Sequence, residues 1–488
     1  MPPIRPLLSV SALLACAVAF AQNPRPTGKV NDFYALNCAN CHGKKLEGGQ
    51  TPANNKVPSL LDDEWLHGGD DASIAQSIRN GYPEKEMPAW GATMSDLEIR
   101  AMVVYLREQQ SLFRRGQVKL EKPADDITVK SQLHDYQLHT WVGGVTEPWS
   151  LAFLPGNRAV MTEKKGRAYL IENGQRAAEP LRDFPAVEDK GQAGLYDVVP
   201  HPKYAENGWL YFAFADPQQN AQGQAVALTK LIRGRIRDGA LAEQQTIFQA
   251  PVEMYPKSGG PHFGGRIVFD RAGYLFFTIG ERGNGKNAQD LSVPMGKVHR
   301  IFDDGRVPPD NPFAKDPNAF KTIWSYGHRN PQGLAMNPAT GELYDVEHGP
   351  RGGDEVNLVL PGRNYGWPVI TYGMDYPGTP VPGSVGTSKE GMEQPVKYWV
   401  PSIAPCGANF YHGDLFPKWK HQLFVASLVG EQLVRLDIRH DKVISEEMLF
   451  RDLGRIRHVI GGPDGALYVL LPTRIARITP AQSLTANR

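Results

Sequence analysis

The chain has 488 residues, enough for two to four ordinary domains, although all-β folds can exceed 250 residues as one unit. Apolar residues make up 41% and charged residues 22%, a balance that supports sizeable cores and excludes a disordered chain. Basic residues number 53 and acidic residues 52, so no global field selects nucleic acid or an anionic membrane.

Residues 1–21 read as an export signal. Arg5 is followed by the apolar "LLSVSALLACAVAF", and Ala19-Phe20-Ala21 puts small residues at the −3 and −1 positions of a cleavage site before Gln22. "LLAC", ending at Cys16, also resembles a lipoprotein box, but the apolar "AVAFA" behind it continues the hydrophobic region. No later apolar run is long enough to span a bilayer, so a soluble periplasmic protein is expected. Removal of the signal leaves Cys38, Cys41 and Cys406, too few for a disulfide framework. Cys406, in "SIAPCGANF", reads as a small buried strand residue.

"NCANCHGKK", residues 37–45, carries C-x-x-C-H. Two thiols at this spacing add to the haem vinyl groups as thioethers, and the adjacent histidine reaches the iron. A redox pair would need a βαβ setting and a zinc site a second ligand pair, and neither is nearby. Covalent haem c at Cys38 and Cys41 with His42 as proximal ligand is therefore expected. For the other axial position the sequence offers His67, Met87, Met94 and Met102. Met102 falls on the apolar face of a helix that opens with the Ser95/Glu98 capping box, and so reads as core. Met94 precedes that cap and reads as exposed. Met87 lies in the Pro- and Gly-rich loop "GYPEKEMPAWG". The layout of residues 24–112 resembles an all-α class I c-type cytochrome, which implies Met87 as the second iron ligand and an electron carrier with both axial positions filled.

Residues 113–135, charged and Pro-containing, are expected to link this domain to a second one at 136–480. There an apolar strand, a turn rich in Pro, Asp, Asn or Gly, and another apolar strand recur six times. The units are "WSLAFLPGNRAVMTE", "YDVVPHPKYAENGWLYFAFA", "GRIVFDRAGYLFFTIG", "QGLAMNPATGELYDVEHG", "ANFYHGDLFPKWKHQLFVAS" and "RHVIGGPDGALYVLLP". Six antiparallel units at intervals long enough for four strands predict a six-bladed β-propeller. Between them lie Gly-rich polar stretches that a propeller would gather at one mouth of its channel. They bring Arg329, Arg455 and Arg457 together with Gln192, Asn330 and His262, a set suited to a planar polyanion.

Residues 145–478 resemble the soluble PQQ-dependent aldose sugar dehydrogenases of the glucose/sorbosone dehydrogenase family. The resemblance is carried by "PHFGGRIVFDRAGYLFFTIGE", "GHRNPQGLAMNP", "EHGPRGGDEVNLV", "GRNYGWP" and "RIRHVIGGPDGALYVL". It implies His262 as catalytic base, Arg329 and Asn330 at the quinone oxygens, Gln192 on the cofactor, and Arg455 and Arg457 on its carboxylates. It further implies Ca²⁺ on the carbonyls of Gly349 and Pro350, and Trp399 near a stacking tryptophan. Two positions depart from the family: Val429 stands where relatives carry a cofactor lysine, and Pro261 where they carry an aspartate before the histidine. The implied activity is oxidation of aldoses at C1 to lactones, with electrons passing to haem c and a downstream one-electron acceptor of the respiratory chain. The alternatives are a PQQ enzyme for non-sugar alcohols or sorbosone-like aldehydes, and a non-catalytic propeller binding module. "GERGNG", at 280–285, lacks the spacing and following helix of a dinucleotide site.

Overall fold

A computed structural model describes residues 29–117, 123–125, 127–439 and 441–481; the expected export signal and Cys16 lie outside these. Among the described residues no helix is long and apolar enough to cross a membrane.

The N-terminal unit is built on helices Val30–Asn37, Asp71–Asn80 and Asp96–Gln117, with the single turn Ala39–His42 after the first. Its helix starts follow local chemistry. The Asp70 carboxylate accepts from the Ser73 N–H at 2.9 Å. The Glu98 carboxylate accepts the Ser95 N–H at 2.8 Å while Ser95 Oγ accepts the Glu98 N–H at 3.4 Å, the reciprocal box expected from the sequence. Ile99, Met102, Val103 and Leu106 of the last helix are buried against Val30, Phe33 and Tyr34 of the first. Each such side chain contributes about 1.5–3 kcal/mol by leaving water. Met94, expected to be exposed, is buried in the same cluster at 4% exposure. The turn before the cap folds it inward, with its N–H donating to the Trp90 carbonyl at 2.8 Å.

The rest forms six antiparallel sheets. Each of the six units quoted above is the first hairpin of one blade, such as Pro148–Leu154 with Arg158–Glu163 and His458–Gly461 with Leu467–Leu471. The first strands of successive blades pack on one another around the ring, the sixth against the first. Closure is a strand exchange. The sixth sheet runs His458–Gly461, Leu467–Leu471, Arg474–Pro480, and takes Tyr136–Gly143 from the N-terminal side as its fourth strand. The stretch expected as a linker is partly structured: the last helix continues to Gln117, and Thr128–Val129 pairs with the closing strand. Cys406 is fully buried in the strand Pro405–Phe410, as expected.

Candidate active site

In an antiparallel blade the start of the first strand lies beside the end of the second. Gln192, His262, Arg329, Asn330, Arg455 and Arg457 all precede first strands, whereas Glu281 and His348–Pro350 follow second strands. The topology therefore delivers both sets to one mouth of the ring.

His262 is the centre of this group. It is 8% exposed and holds a left-handed backbone, φ 59°. Its N–H donates to Gln192 Oε1 at 2.8 Å, which pins that conformation. Its ring Nδ1 makes a short hydrogen bond to the Glu281 carboxylate. Gly280 permits this approach, because a Cβ there would collide with the His262 carbonyl. Burial holds the His262 imidazole below its ordinary pKa, with Arg329 and Arg282 pushing the same way and Glu281 opposing them. A neutral ring with Nδ1–H directed at a carboxylate leaves Nε2 as the basic atom. Glu281 was not expected from the sequence. It supplies the carboxylate beside the histidine that Pro261 cannot.

Around this pair lie buried nitrogens without partners: the donors Arg329 Nε, Arg282 Nε and Asn330 Nδ2, and the ring nitrogen His348 Nε2. Unpaired buried donors cost free energy unless a ligand meets them, and their convergence fits an oxygen-rich anionic group. None of Arg282, Arg329, Arg455 and Arg457 forms a carboxylate ion pair among the described residues. Arg329 is held by its Nη1, which donates to the Gly349 carbonyl at 2.7 Å and the His348 carbonyl at 3.2 Å. Arg282 donates to the carbonyls of Pro261 and Gly259 with its guanidinium 3.4 Å above the Phe263 ring, and burial lowers it to about 10. Arg457 donates to Gln332 at 3.1 Å, and Arg455 beside it is exposed. His348, also not anticipated, is held well below its ordinary pKa by burial and then by Arg329, His262 and Arg457.

Glu347 anchors the Arg329–Asn330 turn by accepting the Arg329 N–H at 2.7 Å and the Asn330 N–H at 3.3 Å. Behind it, His328 lies between Asp345 at 2.9 Å and Glu347 at 3.2 Å, the one group of three or more potential metal-ligating side chains among the described residues. Burial alone would depress the His328 imidazole, but Asp345 and then Glu347 raise it to about 9. The two carboxylates thus favour the protonated imidazole, which makes the three side chains a buried charge network.

The Gly349 and Pro350 carbonyls, the positions implied for Ca²⁺, lie in a buried loop, and the first of them already accepts from Arg329. Calcium takes 6–8 oxygens, so these two atoms fit the ion only where a bound cofactor and water complete the shell. Trp399, implied near a stacking tryptophan, lies on the outer strand Lys397–Trp399. Its indole packs between the fourth and fifth blades and donates to Glu446 at 2.7 Å. Val429 is 57% exposed and supplies no cation to the mouth.

In the cytochrome unit, Cys38 ends the first helix and the His42 N–H donates back to its carbonyl at 3.0 Å, which sets Cys38, Cys41 and His42 around one turn. Burial, then Cys41, pushes the Cys38 thiol up to about 12. Burial lowers the His42 pKa, and its Nδ1 has no partner. Free thiols beside a neutral imidazole fit covalent haem. Met87 is half-buried, and its loop is pinned by paired backbone bonds to Tyr82 at 2.8 and 3.1 Å.

Residues 145–479 match the profile of glucose/sorbosone dehydrogenase, and residues 27–106 that of the cbb3-type cytochrome c oxidase subunit III. The chain is 42% identical over 327 residues to the aldose sugar dehydrogenase YliI of Escherichia coli (strain K12), spanning 66% of this chain and 86% of that one. A crystal structure of a glucose dehydrogenase superposes with a TM-score of 0.66 at 42% identity, covering 70% of this chain and 99% of the other. The PQQ-bound aldose sugar dehydrogenase of Streptomyces coelicolor superposes with a TM-score of 0.57 at 25% identity, over 70% and 98% of the two chains. Ring, mouth and sequence agree: the chain belongs to the glucose/sorbosone dehydrogenase family and carries a cytochrome c domain ahead of its propeller.

Proposed function

We propose that the protein is an exported quinohaemoprotein that oxidises aldose sugars at C1 to lactones, using PQQ and Ca²⁺, and passes the electrons to its own haem c. The observation that carries this reading is the His262–Glu281 pair facing the unpartnered donors of Arg329, Arg282 and Asn330.

PQQ, when bound, supplies an electrophilic ortho-quinone able to take hydride from the sugar carbon. His262 Nε2 takes the proton of the C1 hydroxyl, and Glu281 steadies the imidazolium that results. Arg329 and Asn330 present fixed donors to the oxygen on which negative charge grows, and burial makes them more effective than in water. Arg455 and Arg457 bind carboxylates at the rim. Gln192 keeps His262 in its strained backbone conformation. Cys38 and Cys41 tether the haem, with His42 and Met87 as its iron ligands.

The test adds glucose, a panel of other aldoses and simple alcohols to protein loaded with PQQ and calcium, and follows haem absorbance. Aldoses should reduce the haem. His262→Ala should abolish that reduction while still retaining PQQ. Haem that stays oxidised with every aldose would refute the reading.

A further inference from the structure

The two domains meet along one seam, and that seam begins at the active-site mouth. Gly349 accepts from Arg329 inside the site. Two residues later, Arg351 leaves the propeller and grips Glu108 of the helix Asp96–Gln117 through three hydrogen bonds of 2.6, 2.9 and 3.0 Å. At Gly352 a Cβ would stand 3.2 Å from Val104, so the helix rides directly on this loop. Met374, fully buried, completes the cytochrome core from the propeller side, and Arg100 donates to the Tyr372 carbonyl at 2.6 and 2.9 Å. The paired charges are largely buried, at 22% and 16% side-chain exposure for Arg351 and Glu108. Truncating one partner of such a pair strands the other, so the seam is specific as well as tight.

From Glu108 the contacts continue to the haem motif. Tyr105 lies one turn earlier on the same helix face, and its ring centroid is 5.5 Å from that of Tyr34. The Tyr34 hydroxyl donates to the Gly43 carbonyl at 2.8 Å, the residue after His42. The Tyr34 carbonyl accepts the Cys38 N–H at 2.9 Å. Each step from Arg329 to the haem-binding turn is thus a covalent link, a hydrogen bond, a shared helix face or a ring contact.

We infer that the Gly349–Gly353 loop docked on Glu108, together with Tyr105 and Tyr34, is the route by which electrons leave the propeller site for the haem. The inference rests on the sugar-dehydrogenase reading above. For each aldose oxidised to lactone, two electrons and two protons are released. The electrons cross the seam singly, each reducing ferric haem iron to ferrous. An external one-electron acceptor reoxidises the iron each time, and the protons pass to solvent.

The experiment uses full-length holoenzyme loaded with haem, PQQ and calcium. Stopped-flow mixing with glucose measures haem reduction in the wild type, Glu108→Arg, Tyr105→Leu and the charge swap Glu108→Arg/Arg351→Glu. Two further measurements run beside it: turnover with a small phenazine dye that draws electrons straight from the propeller, and hydrogen exchange over residues 100–108 and 351–353. Glu108→Arg should slow haem reduction at least tenfold, leave dye-linked turnover unchanged and raise exchange at the seam; the swap should restore protection and recover much of the rate. Tyr105→Leu should slow haem reduction with the seam still protected. Wild-type haem reduction rates in Glu108→Arg and Tyr105→Leu would overturn the route. Absent dye-linked turnover in the wild type would instead remove the sugar-dehydrogenase reading; exchange equal in wild type and Glu108→Arg would then overturn the docked seam as well.

Discussion

Glu281 sets the chemistry of His262 in two ways that pull apart experimentally. Its carboxylate orients the ring, and its charge raises an imidazole that burial, Arg329 and Arg282 all depress. Replacing it by glutamine keeps an acceptor for Nδ1–H and removes the charge, so the His262 pKa falls further. The acid limb of kcat/KM against pH should therefore move to lower pH in Glu281→Gln. The plateau should drop by about 10²–10⁴-fold, because the weaker base loses its counter-charge as the proton arrives. Dye-linked kinetics from pH 5 to 9 check this, and a limb that stays in place or moves up would release Glu281 from the role. Sequence reasoning found His262 through its own stretch but passed over Glu281. The two are 19 residues apart, in the loops before Ile267–Phe269 and after Leu275–Ile279, and only the register of that hairpin brings them together. His348 was missed beside Gly349 for a related reason, since only the mouth geometry separates a histidine with an unpartnered ring nitrogen from one satisfied in a core. Met94 was misread because a residue before a helix cap carries no periodicity to reveal its face.

At the scale of elements, the turn that presents Arg329 and Asn330 is held by a buried charge network under the fourth blade. His328 Nδ1 hydrogen-bonds Glu347 and lies 2.9 Å from the Asp345 carboxylate, Ser325 Oγ meets its Nε2 at 2.8 Å, and Asn357 Nδ2 donates to Glu347 at 3.1 Å. A folded-state pKa of about 9, above the ordinary 6.5, means the network stabilises the fold fully below pH ~6.5 and ceases to as pH rises through about 9. His328→Asn leaves two carboxylates buried without their cation and should cost about 3–5 kcal/mol at pH 6. Its deficit against the wild type should shrink as pH passes 9, where the wild type has lost the same contribution. Thermal melts of both proteins across pH 6–10 measure the difference, and a deficit that does not change with pH would mean His328 acts by packing alone. The six inner hairpins were legible in the sequence because each alternates with period 2 around a turn of strong chemistry. The outer strands were not. Lys397–Trp399 is three residues long and follows a long irregular excursion, and Lys442–Arg451 turns a largely polar face to solvent.

The whole molecule depends on a strand that lies between its two domains in sequence. Tyr136–Gly143 closes the ring as the fourth strand of the last blade, pairing with Arg474–Pro480. Tyr136 and Leu138 are fully buried, and the Tyr136 hydroxyl reaches the Leu449 carbonyl of the fifth blade at 2.8 Å. Closure and tethering are thus one device. Residues 118–127 separate the last cytochrome helix from the strand Thr128–Val129 and can span at most about 35 Å, which keeps the carrier near the propeller. The family match begins at residue 145, after the closing strand. A propeller cut there would expose the edge of Arg474–Pro480 and lose Tyr136, Leu138 and Val142 from the core. Large core deletions cost about 2–5 kcal/mol each, so three approach the 5–15 kcal/mol that keeps a typical domain folded. A chain starting at 145 should therefore be recovered mainly as aggregate, whereas one starting at 123 keeps the strand and should give soluble protein with a cooperative urea transition. Soluble yield and the urea midpoint of the two chains decide it. Equal midpoints would show that the ring holds without its closing strand, and that the placement of the cytochrome ahead of it has another cause.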